Sequence, residues 1–72
     1  MDCRKHFSNT LSALRRGQGL SLEALGKVLG ITGQAVSLLE KGKRSPSFEV
    51  FIALADYFAV SLDYLVGRSD DP

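Results

Sequence analysis

Residues 34 to 44 carry amide, hydroxyl and cationic side chains at short intervals. The amide of Gln34 can donate and accept in one plane, which is the geometry needed to bond N6 and N7 of adenine together. Ser37 can donate or accept, and Lys41, Lys43 and Arg44 form a cluster of cations that suits phosphate groups. Without further context, a solvated helix side chain explains Gln34 better than a base contact does. For the cations, the alternative to phosphate contact is a solvated loop.

These side chains must be positioned by the stretch from residue 21 to residue 42, whose pattern predicts two short helices joined by a tight turn. Ser21 and Thr32 are good N-cap residues, and Gly30 can adopt the left-handed conformation that ends many helices. Gly26 is a small residue at which the two helices could approach closely. Apolar residues recur at helical spacing at Leu22, Leu25, Val28, Leu29, Val36 and Leu39. Because so short a connection forces a steep crossing, the pattern predicts a helix-turn-helix.

Three further helices are predicted around this pair. The first covers residues 3–16, where the apolar residues at helical spacing are Phe7, Leu11 and Leu14. The next follows the N-cap residue Ser47 and runs to about Phe58, and the last covers residues 62–66 after the N-cap residue Ser61.

The helix after Ser47 is the most apolar of the five. Its wide apolar face predicts burial on more than one side, and consists of Phe48, Phe51, Ile52, Leu54, Ala55 and Phe58. No stretch alternates with a period of two, so no strand is predicted. The sequence therefore predicts one compact all-α, five-helix domain over residues 1–72, with a core at about 6–67 and a polar tail at 68–72.

Composition argues against several classes of function. The 72 residues include one cysteine, Cys3, and one histidine, His6, so neither an intrachain disulfide nor a metal site is expected. No motif supports a cofactor, a small-molecule ligand or catalysis. No apolar run approaches the ~20 residues that span a bilayer, and no signal-peptide pattern opens the chain. We therefore expect a cytoplasmic protein with no membrane partner, and not an enzyme.

The charge of the chain is small but unevenly distributed. The net charge is +1, yet residues 1–44 carry eight Lys or Arg against three Asp or Glu, while residues 45–72 carry one against five. The basic half contains the predicted helix-turn-helix. This polarity is expected of a surface that meets a polyanion, and random scatter of surface charge is the alternative.

Taken together, these elements resemble the Cro/C1-type (XRE-like) helix-turn-helix repressor domain. The resemblance covers roughly residues 6–69. It rests on Leu14-Arg15, Gly19-Leu20-Ser21, Leu25 to Gly30, Val36-Ser37, Leu39-Glu40, Gly42-Lys43, Pro46-Ser47, Leu54-Ala55, and Val60 to Leu65 followed by Gly67. A lone helix-turn-helix pattern is weak, but the same pattern within the five-helix framework is specific. The resemblance implies a lambda-repressor-like domain that binds double-stranded operator DNA, usually as a dimer, and regulates transcription, most often as a repressor.

The resemblance implies that the third helix, Thr32 to Lys41, enters the major groove. Base contacts then fall on its outward side, at Gly33, Gln34, Ser37 and Leu38. Leu38 stands where the family often has a polar or basic residue. It could pack on a thymine methyl group, contact a protein partner, or be a tolerated exposed leucine. Because Gly33 also offers no side chain, specificity is expected to depend partly on DNA shape and on the dimer.

Phosphate contacts are expected around the third helix, from Arg15, Ser21, Thr32, Lys41, Lys43, Arg44 and Ser47. Leu22 stands where the family commonly has a glutamine that bonds a phosphate, which puts that contact in doubt. The resemblance also implies an ion pair between Arg15 and Glu40 that ties the first helix to the third. Two independent surface charges are the alternative.

A homodimer would place two copies of the third helix in successive major grooves, roughly 34 Å apart. Candidates for the dimer surface are Phe58, Tyr64 and Val66, which could equally belong to the core.

The competing hypothesis is a protein-interaction module on the same fold, such as an antirepressor or an antitoxin component. Apolar or missing side chains at 22, 33 and 38 favour that hypothesis, and the cations at 43 and 44 count against it.

Overall fold

The structure, a computed structural model, describes residues 3–72. It contains five helices: α1 (Cys3–Gly17), α2 (Leu22–Leu29), α3 (Gly33–Glu40), α4 (Phe48–Phe58) and α5 (Leu62–Val66). No strand occurs in this part of the chain, so the all-α prediction is confirmed. Met1 and Asp2, which the predicted domain and the charge count include, lie outside the described residues.

Four of the helices begin at a serine or threonine that caps them. In each case the side-chain oxygen accepts a hydrogen bond from the amide three residues later, at 3.0 to 3.2 Å. The caps are Ser21, Thr32, Ser47 and Ser61. Such a cap satisfies a backbone donor that the helix itself cannot pair, and contributes about 1 kcal/mol. Local chemistry alone therefore determines where these helices start.

The left-handed residues that end the helices include one alanine. Gly30 ends α2 with φ +75°, as its residue type predicts. Ala59 occupies the equivalent position after α4 with φ +56°, although its Cβ makes this conformation costly. Nothing in the residue type indicated a left-handed alanine at this position.

The turn between α2 and α3 holds the two helices at a bend of 102°. A Cβ built on Gly26 would lie 2.6 Å from the carbonyl oxygen of Ile31, which confirms the predicted close approach at this glycine. Ile31 itself packs against the core from within the turn. No single helix in residues 3–72 is long and apolar enough to cross a bilayer. The pair α2–α3 meets that criterion by length and composition alone, across its bend.

One hydrophobic core joins all five helices, and its most deeply buried members are Leu11, Leu25, Val36, Leu39, Leu54 and Leu65. Two predictions about α4 need correction. Phe58 is only 8% exposed and belongs to this core, so it cannot form a dimer surface. Phe48, predicted to be buried, is 75% exposed. It is the first residue of α4, and helical spacing predicts a side-chain direction but not how far along the helix the core extends.

Candidate nucleic-acid interface

A buried hydrogen bond attaches the end of α3 to α1. The hydroxyl of Ser8, 3% exposed, donates to the carbonyl oxygen of Leu39 at 2.7 Å. The last carbonyls of a helix lack intrahelical partners, so Ser8 satisfies one of them and holds α3 in position. This contact of Ser8 was not predicted from the sequence. The available signal was its position on α1, two helical turns before Arg15 and therefore on the same side of the helix.

The second attachment of α3 is the ion pair between Arg15 and Glu40. The Arg15 Nε atom lies 2.5 Å from Glu40 Oε2, and Nη2 lies 3.0 Å from Oε1. The Arg15 Nη1 atom also donates to the carbonyl of Leu20 at 2.8 Å, at the entrance to α2. Both side chains are largely covered, at 13% and 10% exposure, so the two residues form a bidentate ion pair and are not independent surface charges. The predicted contact is confirmed.

The same pair influences the protonation of Arg15. The hydrogen bond to Glu40 raises the pKa of Arg15 above its ordinary value, against an opposing effect of desolvation. A raised pKa keeps the guanidinium charged, so the stabilisation that its charge provides is fully present below the ordinary pKa of arginine and is lost as the pH rises through the raised pKa. Three of the five N–H groups of Arg15 are used within the chain. The other two N–H groups make no hydrogen bond with residues 3–72.

The outward side of α3 presents part of the predicted base-contact set. Gln34 is exposed, and Ser37 and Leu38 are half-buried. The opposite side is buried, with Ala35, Val36 and Leu39 facing the core. Gln34 and Ser37 are therefore not packed inside, whereas Leu38 is less exposed than expected.

Gly33 faces α2 rather than open solvent. A Cβ at this position would lie 3.1 Å from both the amide nitrogen and the Oε1 atom of Glu23. A side chain at 33 would require Glu23 to shift by a few tenths of an ångström, so the contact with α2 favours a glycine at this position. Glu23 lies in the first turn of α2, and its position beside α3 was not predicted from the sequence.

The predicted phosphate-binding cations follow α3 without interruption. Lys41, Lys43 and Arg44 are all exposed. A tight turn carries the chain past the end of the helix, with the Lys43 amide bonded to the carbonyl of Leu38 at 3.0 Å. Arg44 lines a shallow depression with residues of α3 and of the N-terminus of α4, so it lies on the α4 side of α3. The cations are therefore arranged around the end of α3.

The three predicted helix starts are exposed at their capping residues, Ser21, Thr32 and Ser47. Amides in the first turn of a helix lack intrahelical partners and favour an anion.

The two remaining dimer candidates, Tyr64 and Val66, are half-buried. Within residues 3–72, no group of three His, Cys, Asp or Glu side chains could hold a metal ion.

Comparison with known proteins agrees with this geometry. The profile of the helix-turn-helix family matches residues 11–65. The uncharacterised HTH-type transcriptional regulator y4dJ of Sinorhizobium fredii is 35% identical over 71 residues, which covers 99% of this chain and 92% of y4dJ. The uncharacterised regulator YobD of Bacillus subtilis is 30% identical over 66 residues, which covers 92% of this chain but only 59% of YobD. This chain thus spans about three fifths of the length of YobD.

Among solved structures, the fold matches that of the P22 c2 repressor in complex with the synthetic operator 9T in the presence of Tl⁺. The TM-score is 0.81 at 28% sequence identity, and the match covers 88% of this chain and 96% of the repressor chain.

Proposed function

Because this chain belongs to the Cro/C1-type helix-turn-helix family of DNA-binding transcriptional regulators, we propose that it represses transcription by binding operator DNA as a homodimer. In this proposal α3 lies in the major groove. The observation that carries it is the exposed Gln34 at the start of a helix whose other end is surrounded by exposed cations. Repression follows by occlusion, because a bound dimer covers DNA that RNA polymerase must contact. A cytoplasmic location, as expected from the sequence, is part of this proposal.

The two attachments of α3 support a role in reading bases. Direct readout requires a side chain held in register with the base edges. The Ser8 hydrogen bond and the Arg15–Glu40 pair fix the C-terminal end of α3, and the Thr32 cap fixes its start. Gln34 lies in the first turn of this fixed helix, so it is our principal base reader.

The other predicted contacts keep their proposed roles around this reader. Ser37 and Leu38 would contact bases next to those read by Gln34, and the backbone at Gly33 would approach closely without a side chain. Two N–H groups of Arg15 are not used in the hydrogen bonds to Glu40 and Leu20, and these would bind a phosphate. The remaining phosphate contacts are proposed for Ser21, Thr32, Lys41, Lys43, Arg44 and Ser47, from exposed side chains or helix amides.

The size of the domain is compatible with two copies that bind successive major grooves of one DNA duplex. Its Cα atoms extend over 28 × 23 × 21 Å. Two copies in contact can therefore place their α3 helices about one DNA turn apart, roughly 34 Å. With Phe58 in the core, we propose Tyr64 and Val66 as the remaining dimer contacts. Sedimentation that shows only monomers at high concentration and on DNA would refute this part.

The decisive experiment is selection of bound sequences from a random pool of duplex DNA. We expect enrichment of an inverted repeat whose half-sites are about 10 base pairs apart. Gln34→Ala should relax the preference at one position of each half-site by roughly tenfold or more, the effect of losing one bidentate base contact. The matched control is Gln18→Ala, because Gln18 is an exposed glutamine outside the contact set. Enrichment of no sequence by the wild type would refute the proposal.

A promoter reporter then tests the direction of regulation. With the selected site overlapping the promoter, the wild-type protein should lower expression, and Gln34→Ala should restore it. A rise in expression would exclude repression.

The competing hypothesis of a protein-interaction module loses part of its support. Leu22, which favoured it, packs against the core, so the fold explains its residue type. Titration on nonspecific duplex at low and high salt separates the two functions. A DNA-binding protein must show strong salt dependence, whereas an interaction module shows no salt-sensitive binding.

A further inference from the structure

An open cleft lies between the N-terminal half of α1 and the end of α3, and Lys41 is the one residue of its lining that belongs to the contact set described above. One wall consists of Arg4, Lys5 and Asn9. The other consists of the last residues of α3 and its turn, Glu40 to Gly42, and Ser8 lies between the two walls. The cleft is thus on the α1 side of α3, whereas Arg44 lies on the α4 side.

The charges that line this cleft favour an anion. It has three cations, Arg4, Lys5 and Lys41, and one carboxylate, that of Glu40. Both oxygens of that carboxylate accept hydrogen bonds from Arg15, so its charge is largely compensated. Arg4 and Lys41 are exposed, and their side chains make no ion pair or hydrogen bond with the part of the chain that the structure describes. Their charges are therefore available to a ligand.

The negative end of the α3 dipole would oppose an anion here, but the carbonyls of three of the last four residues of α3 have donors. The carbonyl of Leu39 accepts from the Ser8 hydroxyl and from the Gly42 amide, and that of Leu38 accepts from the Lys43 amide. The carbonyl of Ser37 accepts from the Lys41 amide. Each donor offsets part of the negative potential at this end of the helix. The net field in the cleft then follows the cations.

We propose that this cleft binds a backbone phosphate of the DNA, so that α1 and the end of α3 hold the backbone between them. The inference rests on the proposed function and extends the DNA contact beyond Lys41 to Arg4 and Asn9. Arg4 supplies the second charge, and the Asn9 amide can donate to a phosphate oxygen. Lys41 lines this cleft and is also one of the predicted phosphate-binding cations, so the two contact regions are continuous.

A DNA phosphate suits this cleft better than a free anion does. The cleft is open to solvent, and its charges are carried by exposed, flexible side chains, so a single small anion gains little there. In this proposal, a duplex that is bound through α3 holds one of its phosphates beside the cleft. Its effective concentration is then in the millimolar range, and a weak contact becomes occupied.

The test is the salt dependence of DNA binding by Arg4→Ala. Loss of one phosphate contact should lower the slope of log K against log salt by about 0.9 for each bound subunit. The ratio of the wild-type DNA-binding constant to that of the variant should therefore fall about 3.5-fold for each bound subunit when the salt concentration rises from 50 to 200 mM. Lys27→Ala is the charge-matched control, because Lys27 is exposed on α2 and does not line the cleft. It should keep the wild-type slope.

A second variant tests the cleft without removing a cation. Asn9→Asp places a carboxylate in the wall, and it should weaken binding more at low salt than at high salt. Both substituted side chains are exposed, and thermal melting verifies that the variants fold.

The possible outcomes separate this inference from the function on which it rests. A wild-type slope in both Arg4→Ala and Asn9→Asp, with salt-sensitive binding by the wild type, overturns the inference alone. Absence of salt-sensitive binding by the wild type overturns the proposed function as well. NMR titration with inorganic phosphate in the absence of DNA tests the free-anion alternative. Submillimolar saturation at the cleft, together with an unchanged slope in Arg4→Ala, would assign the cleft to a free anion and overturn the inference.

Discussion

The Arg15–Glu40 pair should contribute more to stability than most ion pairs at the surface of a protein. We consider Glu40→Gln, which keeps the shape of the side chain, and Arg15→Met, which keeps the aliphatic stem. The double variant carries both changes. Each single change leaves one largely covered group without its charged partner, whereas the double change removes both charges.

The structure allows the magnitude to be estimated. Pairs on the open surface contribute about 0.2–1 kcal/mol, whereas removing one partner of a fully buried pair costs about 3–5 kcal/mol. At 13% and 10% exposure, with two hydrogen bonds in the fork, this pair lies nearer the buried limit. We expect each single change to lower the free energy of unfolding by about 2–3 kcal/mol. Arg15→Met should cost more, because it also removes the donor to the Leu20 carbonyl.

The double variant measures the coupling. We expect it to cost about as much as the worse single change, which gives a coupling free energy of about 2 kcal/mol. For a domain of this size, the single changes should lower Tm by roughly 10–20 °C.

Urea unfolding followed by circular dichroism, with all four proteins at pH 7, provides the free energies. If each single change costs less than about 0.5 kcal/mol and the two effects add, the side chains act as independent surface charges. The reasoning from their exposure and hydrogen bonds would then be wrong.

Three further substitutions test the packing that positions α3, each by urea unfolding. Ser8→Ala should destabilise by about 1 kcal/mol, because the Leu39 carbonyl loses its buried hydroxyl donor, and no change would mean that the Gly42 amide suffices. Gly26→Ala should cost about 2–3 kcal/mol and weaken DNA binding, because its Cβ would overlap the Ile31 carbonyl oxygen; a smaller loss would show that the turn yields easily. Ala59→Gly should stabilise by about 0.5–1 kcal/mol, because glycine adopts φ +56° without strain, and a loss of stability would contradict that account.

The helices and their boundaries were determined by the sequence to a large extent. Ser21, Thr32, Ser47 and Ser61 each cap a helix through an amide three residues away, and Gly30 ends α2 in the left-handed conformation. These interactions join residues within one helical turn, so residue type and spacing are sufficient to predict them. The Arg15–Glu40 contact spans 25 residues and was predictable only because the chain resembles a known family.

The tertiary structure alone decided which apolar residues are covered and which polar residues meet. Phe48 and Phe58 lie in the same apolar pattern, yet the first is 75% exposed and the second is in the core. Ser8 reaches Leu39 across 31 residues, and Arg4 lines a cleft with Lys41. Helical periodicity indicates the direction of a side chain, but burial and charge clustering depend on where another helix lies. That position follows from packing five short helices around one core, and no local pattern in the sequence records it.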